Sequence, residues 1–252
     1  MKKNFLLVCL TAVLFTSCVA KKDIIYLQGS PQAQTTPANY EPLIQKDDIL
    51  YINISSRNAE AVAPFNLDAQ SKDISTNSGF VTQKQTYLVD NSGNIEFPIL
   101  GTINAAGYSV NEFRGFLKGK LDQYVTDAVI NVRIINFKVT VTGEVGKPGV
   151  VTTNSQRLTL FDALALSGDL TLYGKRDNIL IVRDFQGTKS YNRVDITRAD
   201  FVNSPFYYLD QNDLIYVEPR KSKIDSTAIG ANIPAIISIV GFLLTTTLLL
   251  TK

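Results

Sequence analysis

The stretch Ile130-Asn131-Val132-Arg133-Ile134-Ile135-Asn136-Phe137-Lys138-Val139-Thr140-Val141 decides the fold, because its alternation of apolar and polar side chains changes phase midway. Apolar residues occupy positions 130, 132 and 134 before Asn136 and positions 137, 139 and 141 after it. Successive side chains of a strand point to opposite faces, so this change turns the apolar face around. A bulge inside one strand would produce it, and a seam between two domains near Asn136 explains it equally well.

Before this stretch, the sequence predicts strands and one helix. The predicted elements are a strand over residues 48–54, a long loop over 57–85 and a hairpin of 87–89 with 95–98. Ser109 and Glu112 have the spacing of a capping box, in which each side chain satisfies a backbone amide at the start of a helix. An apolar face follows them, which predicts a helix from about Val110 to Tyr124.

Beyond the seam, the sequence predicts more strands around one short helix. The predicted elements are a turn over residues 143–150, a helix over 160–166 that begins between Thr159 and Asp162, and a hairpin of 179–183 with 188–191. Asp213-Leu214-Ile215-Tyr216-Val217 also repeats the pattern of Asp48-Ile49-Leu50-Tyr51-Ile52. Each copy is predicted to start a strand from a turn, but two short matches do not establish a repeat architecture.

The amino terminus has the features of a secretory signal peptide. Lys2 and Lys3 precede an uncharged apolar run over residues 5–15, which is too short to span a membrane. Small residues then stand immediately before Cys18, as lipoprotein signal peptidase requires. We predict a signal peptide over residues 1–17 and a lipid on Cys18. The alternative is an ordinary signal peptide whose cysteine is incidental.

The carboxyl terminus is a second apolar segment. Residues 226–251 contain no charge, and about 24 helical residues would reach roughly 36 Å, so we predict a transmembrane helix there. Small or polar residues at three- and four-residue steps, among them Ser238, Gly241 and Thr245, predict a stripe that faces a pore or packs against other helices. A lone anchor, with the threonine hydroxyls satisfied by backbone carbonyls, is the alternative.

The composition favours a binding, structural or transport role. Removal of Lys2 and Lys3 leaves 25 − 2 = 23 basic residues against 23 acidic ones, so there is no electrostatic case for a nucleic-acid partner. Histidine and tryptophan are absent, and neither a phosphate loop nor a clustered set of metal ligands is present. We therefore predict no catalytic, cofactor or metal site. Carboxylates such as Asp162 and Glu144 are better explained by capping and turns than by glycan hydrolysis.

Two groups of motifs resemble the outer-membrane polysaccharide export lipoproteins of the Wza type. Gly93-Asn94-Ile95-Glu96-Phe97-Pro98-Ile99-Leu100-Gly101 looks like part of the opening of the family's export domain. Val141-Thr142-Gly143-Glu144-Val145, Ser167-Gly168 and the closing segment 213–217 are similar to an SLBB domain. Only one SLBB-like unit follows the export domain, and Asp169 replaces the second glycine of the family's usual Gly-Gly ending.

The resemblance implies an α+β architecture of three folded parts. These are an export domain with mixed sheet and helix, a β-grasp-like SLBB domain and the C-terminal membrane helix. The predicted division is a lipid-anchored tether over residues 18–39, the export domain over 40–136, the SLBB domain over 137–219 and the transmembrane helix over 226–251.

The resemblance also implies a function and a location. It predicts a homo-oligomeric ring, commonly of eight subunits, which stands in the periplasm, is lipid-anchored to the outer membrane and passes capsular or extracellular polysaccharide as a passive conduit. The implied partners are the polysaccharide and an inner-membrane polysaccharide co-polymerase or kinase. The alternative is a periplasm-facing scaffold or ligand-binding lipoprotein with an SLBB domain and a simple membrane anchor.

Overall fold

The phase change near Asn136 marks the point at which the chain leaves one sheet and enters another. In the computed structural model, which describes residues 21–30, 40–66, 86–185, 187–224 and 233–250, β5 (Val129–Ile134) lies in a three-stranded sheet. The next strand, β6 (Lys138–Gly143), lies in a five-stranded sheet. The change of phase therefore coincides with a change of sheet, and the alternative of a bulge inside one strand is wrong. The division into two domains at this point stays a prediction.

The first sheet is antiparallel and has the order β2-β1-β5, with β1 (Ile49–Ser55) between β2 (Thr86–Leu88) and β5. Its inner face is buried under α2 (Val110–Leu121), whose apolar side packs against β5. The predicted capping box is confirmed, since the Glu112 amide donates to Ser109 Oγ at 3.2 Å and the Ser109 amide donates to Glu112 Oε2 at 2.8 Å.

Two smaller features complete the first part of the chain. The described start of the predicted loop contains α1 (Ala59–Val62) and a 3-10 helix (Ala63–Phe65), and residues 67–85 lie outside the described part. The predicted hairpin is wrong: β3 (Asn94–Phe97) pairs with β4 (Gly101–Asn104), while β2 pairs with β1. Side-chain alternation identifies a strand, but its partner depends on which edge is free in three dimensions.

The second sheet is mixed and has the order β7-β6-β10-β8-β9. Its other strands are β7 (Gly149–Thr152), β8 (Gly174–Phe185), β9 (Thr188–Val194) and β10 (Leu214–Pro219). β10 runs parallel to β6 and antiparallel to β8. The predicted hairpin is confirmed as β8–β9, and the predicted short helix is confirmed as α3 (Leu160–Leu166). The α+β class is confirmed, and buried apolar residues of both sheets form one cluster.

The carboxyl-terminal segment forms a helix, but the predicted membrane-crossing helix over residues 226–251 is not found. The helix α4 covers Ile233–Leu250, and residues 225–232, 251 and 252 lie outside the described part. Across the described ranges, no helix is both long enough and apolar enough to traverse a bilayer. At 1.5 Å per residue, the 18 residues of α4 reach about 27 Å, whereas the bilayer core is roughly 30 Å thick.

Candidate functional site

The seam between the two sheets is held by two amide side chains, of Asn136 and of the buried Gln211. Asn136 Oδ1 accepts a hydrogen bond from the Ile49 amide at 2.9 Å, and Asn136 Nδ2 donates one to the Asp47 carbonyl at 2.9 Å. These two bonds connect the seam to the start of β1. From the other side, Gln211 Nε2 donates to the Asn136 carbonyl at 3.1 Å, and Gln211 Oε1 accepts the Lys138 amide at 2.8 Å. Because Gln211 is 2% exposed, its two hydrogen bonds are shielded from water on the Gln211 side.

The two segments that resemble each other in sequence form the same turn at this junction. The residue before each aspartate has a left-handed backbone, with φ of 67° at Asp47 and 65° at Asn212. Each carboxylate then accepts the backbone amide of the residue three positions earlier at 2.8 Å, Asp48 from Gln45 and Asp213 from Asp210. The prediction that each segment starts a strand from a turn is confirmed, and both aspartates are fully buried.

The carboxylate of Asp213 is neutralised by an arginine. Arg183 Nη2 lies 2.7 Å from Asp213 Oδ2, and its Nη1 lies 2.7 Å from Asp210 Oδ2. Burial raises the pKa of Asp213, although the ion pair with Arg183 opposes this effect. Tyr40 donates to Asp210, and its ring stacks on that of Tyr208 with the centroids 4.8 Å apart. The network therefore joins the start of the first domain to the second sheet.

The turn at Asp48 lacks such a cation. None of the ion pairs among the described residues involves Asp48, and its Oδ1 is buried without a hydrogen-bond partner in that part of the chain. Burial raises the pKa of Asp48 to about 6, and the hydrogen bond from the Gln45 amide only partly offsets this. Two turns of the same shape thus hold their carboxylates in different electrostatic surroundings.

We expect Asp48→Asn to flatten the pH dependence of stability. The folded chain binds the Asp48 proton more tightly than the unfolded chain, whose pKa is near 3.8, so the free energy of unfolding falls as pH rises from about 4 to about 6. The two pKa values correspond to about 3 kcal/mol, and a neutral amide removes this term. Chemical denaturation at several pH values measures it.

The neighbouring Asp47→Asn provides the control for this experiment. Asp47 is exposed, and asparagine tolerates its φ of 67°, so most of the pH dependence should remain in that variant. An unchanged slope between pH 4 and pH 6 in Asp48→Asn would show that another group is responsible.

The segment after Cys18 is not a free tether where the structure describes it. The Leu27 and Gln28 amides donate to the carbonyls of Ile196 and Thr197 at 3.1 and 2.6 Å. The Tyr26 hydroxyl donates to Asp169 Oδ1 at 2.6 Å, and Asp23 lies against Arg220 at the end of the second sheet. Residues 21–30 therefore bind the second sheet and its loops. The lipid-anchored tether over residues 18–39 stays a prediction, but its described part is bound to the second sheet, which apolar and turn residues alone do not indicate.

The residues predicted as sites lie at the two ends of the chain. Cys18 lies outside the described residues. Ser238, Gly241 and Thr245 lie on α4 and are exposed, and Thr245 Oγ1 donates to the Gly241 carbonyl at 3.0 Å. The hydroxyl of Thr245 is thus satisfied within its own helix, as the lone-anchor alternative expects. On the same helix, Phe242 is 69% exposed.

The acidic residues considered for catalysis have structural roles here. Asp162 caps α3 by accepting the Thr159 amide at 3.0 Å, and Glu144 accepts the Thr171 hydroxyl at 2.7 Å. Among the residues that the structure describes, no group of three acidic or other ligand side chains could hold a metal ion. Sequence reasoning missed Arg183 and Gln211. The only available signal was the repeated Asp-led segment, which predicts two turns but neither the burial of the carboxylates nor their partners.

Two family models match the two parts of the chain on either side of the seam. The polysaccharide biosynthesis/export protein model matches residues 36–135, and the SLBB domain model matches residues 138–193. The chain therefore contains a polysaccharide biosynthesis/export domain followed by an SLBB domain.

Two curated relatives, from Ralstonia solanacearum and Ralstonia nicotianae, are each named EPS I polysaccharide export outer membrane protein EpsA. The chain is 27% identical to the first over 139 residues and 33% identical to the second over 101 residues. These matches cover 54% and 38% of the chain. They span only 36% and 26% of the length of the relatives.

Proposed function

We propose that the chain is a subunit of an oligomeric outer-membrane translocon that exports capsular or extracellular polysaccharide. The observation that carries the proposal is the pair of matched domains, which meet at the hydrogen-bonded junction of Asn136 and Gln211. The relatives are named for polysaccharide export at the outer membrane, and we extend that role to this chain. We assign residues 40–136 to the export domain and residues 137–219 to the SLBB domain.

The chain acts in this proposal as a passive conduit and not as an enzyme. The carboxylates considered above cap a helix or bind neighbouring side chains. A conduit must bind its cargo weakly at many places, because a tight site would stop movement. Equal numbers of acidic and basic residues after removal of the signal peptide are compatible with such weak contacts.

We further propose a lipid on Cys18, after removal of residues 1–17, with most of the chain in the periplasm. Asp23 lies five positions after Cys18, and an extended chain spans at most about 3.6 Å per residue, so the Cα atom of Cys18 would lie within about 18 Å of that of Asp23. Asp23 contacts Arg220, which directly follows β10. The lipid would therefore bring the second sheet, and not the first, next to the outer membrane.

The translocon is proposed to be a ring of identical subunits, commonly eight, that meets an inner-membrane polysaccharide co-polymerase or kinase. Two features support self-association. The edge strand β9 is exposed along most of its length, with Tyr191 at 68%. Apolar side chains of α4 are exposed as well, and Ser238, Gly241 and Thr245 would let two such helices approach closely.

The proposal is tested in a host strain that lacks the chain. Surface polysaccharide should be lost and should return with the wild-type gene. Cys18→Ala should fail to restore it and should lose incorporation of labelled lipid. Cys9→Ala is the matched control, because Cys9 lies within the predicted signal peptide, and it should restore export.

Two results would contradict the translocon. Unchanged surface polysaccharide in the strain without the chain would exclude a conduit. A stable monomer in mild detergent, with no rings visible by electron microscopy, would favour the scaffold or ligand-binding lipoprotein instead.

A further inference from the structure

A polar groove lies on the outer face of the first sheet, next to the seam. Its volume is about 450 Å³, which falls in the usual range for a small-molecule site. The lining residues are Tyr51, Asn131, Arg133, Ile134, Ile135 and Asn154. All but Asn154 come from the first sheet or the chain just after it, whereas Asn154 belongs to the loop after β7 of the second sheet. The groove thus has walls on both sides of the junction.

The register of the first sheet sets the groove's side chains beside each other. Tyr51 of β1 stands directly opposite Arg133 of β5 and, on its other side, opposite Thr86 of β2. The next outward pair along the strands is Asn53 with Asn131. Opposed residues of antiparallel strands have Cβ atoms about 5 Å apart, so the ring, the guanidinium and the amides form one continuous surface.

The charge of this surface has a single sign. None of the three strands contains an aspartate or a glutamate, and Arg133 is exposed. No ion pair in the described part of the chain includes Arg133. Its guanidinium can therefore meet an incoming anion without first breaking an ion pair. Planar guanidinium groups bind carboxylates through two parallel hydrogen bonds.

The remaining groups suit a sugar ring. The face of an aromatic ring such as that of Tyr51 offers an apolar platform, and its hydroxyl end is polar. The carboxamides of Asn131 and Asn154 each carry donors and an acceptor, which match the hydroxyls of a sugar. A pyranose sugar that carries a carboxylate matches all of these groups. Its carboxylate would bind the guanidinium, its ring would pack on the aromatic face and its hydroxyls would bind the two amides.

We propose that this groove is a binding subsite for carboxylate-bearing sugar residues of a glycan chain. The proposal rests on the proposed function, which it deepens by naming the chemical class of the cargo. The groove is open and its charged side chain is exposed, so each contact is weak and exchanges quickly, as passage of a polymer requires. The Tyr51 ring and the two amides bind the sugar ring, and Arg133 favours sugars that carry a carboxylate over neutral ones.

Titration of the full-length chain in mild detergent with trigalacturonic acid and with maltotriose tests the groove, with binding followed by NMR signals of the sugar. The wild-type chain should bind the acidic trisaccharide with a dissociation constant of about 1 mM and the neutral one at least several-fold more weakly. Arg133→Gln should weaken binding of the acidic sugar about tenfold and leave the neutral sugar within twofold. Added salt should weaken only the acidic interaction.

Arg57→Gln is the matched control, because it removes the same charge from an arginine whose side chain is 98% exposed and does not line the groove. It should leave both affinities unchanged. Equal wild-type affinity for the two sugars, no binding of either sugar, or unchanged binding in Arg133→Gln would each overturn the subsite. If polysaccharide export does not depend on the chain, the proposed translocon function is contradicted. If export depends on the chain but acidic sugars do not bind, only the groove fails.

Discussion

Replacing Asp213 by Asn should lower the free energy of unfolding at pH 7 by about 3 kcal/mol. Asp213 is fully buried, and its two oxygens lie 3.0 and 2.7 Å from Nε and Nη2 of Arg183. An amide keeps the shape of the side chain but removes the charge, so part of a largely buried guanidinium is left without its counter-ion. Asp210 still contacts Nη1 at 2.7 Å, which places the loss at the lower end of the range for broken buried ion pairs.

Chemical denaturation of the full-length chain in mild detergent measures this loss as a shift of the transition midpoint at constant slope. Asp48→Asn is the matched comparison, because it makes the same change in the turn of the same shape. Among the described residues, no cation would lose its counter-ion when Asp48 is replaced. The replacement should therefore leave the free energy of unfolding at pH 7 unchanged or raise it. If both variants lose the same free energy of unfolding, the ion pair with Arg183 is not the reason why Asp213 matters for stability.

Gly143→Ala should be still more damaging and should cost at least about 4 kcal/mol or prevent folding. Gly143 ends β6 and pairs with Val217 of the parallel strand β10. A Cβ atom at position 143 would lie 2.1 Å from the Val217 carbonyl oxygen, which is well inside contact distance. The backbone φ of 92° is also one that residues with a side chain rarely adopt. Neither obstacle can be relieved by rotating a side chain.

Gly149→Ala is the matched control for this substitution. Gly149 begins β7 in the same sheet, and a Cβ atom there would meet nothing within 4 Å. Its variant should keep stability within about 1 kcal/mol of the wild type. The yield of folded protein and the denaturation midpoint compare the two variants. If both behave alike, the close approach of β6 to β10 is not as the structure describes it.

Local interactions were predictable because both partners lie within a few residues of each other. Ser109 with Glu112, and Thr159 with Asp162, are three positions apart, so their spacing fixes where α2 and α3 begin. The β8–β9 hairpin was predictable for the same reason, since its strands are joined by a short turn at Gly187. The predicted end of α2 was three residues too late, because helix ends depend on weaker signals.

By itself, the sequence determined the change of face at Asn136, the starts of α2 and α3 and the pair of Asp-led turns, since each depends on alternation or on neighbours in the chain. The tertiary structure alone decided that β3 pairs with β4, that Arg183 neutralises Asp213 while Asp48 has no such cation, and that residues 21–30 bind the second sheet. It also decided that Asn154 reaches the groove beside Tyr51. These contacts join residues 30 to 197 positions apart or depend on a choice among several free edges, and no short-range pattern encodes such a choice.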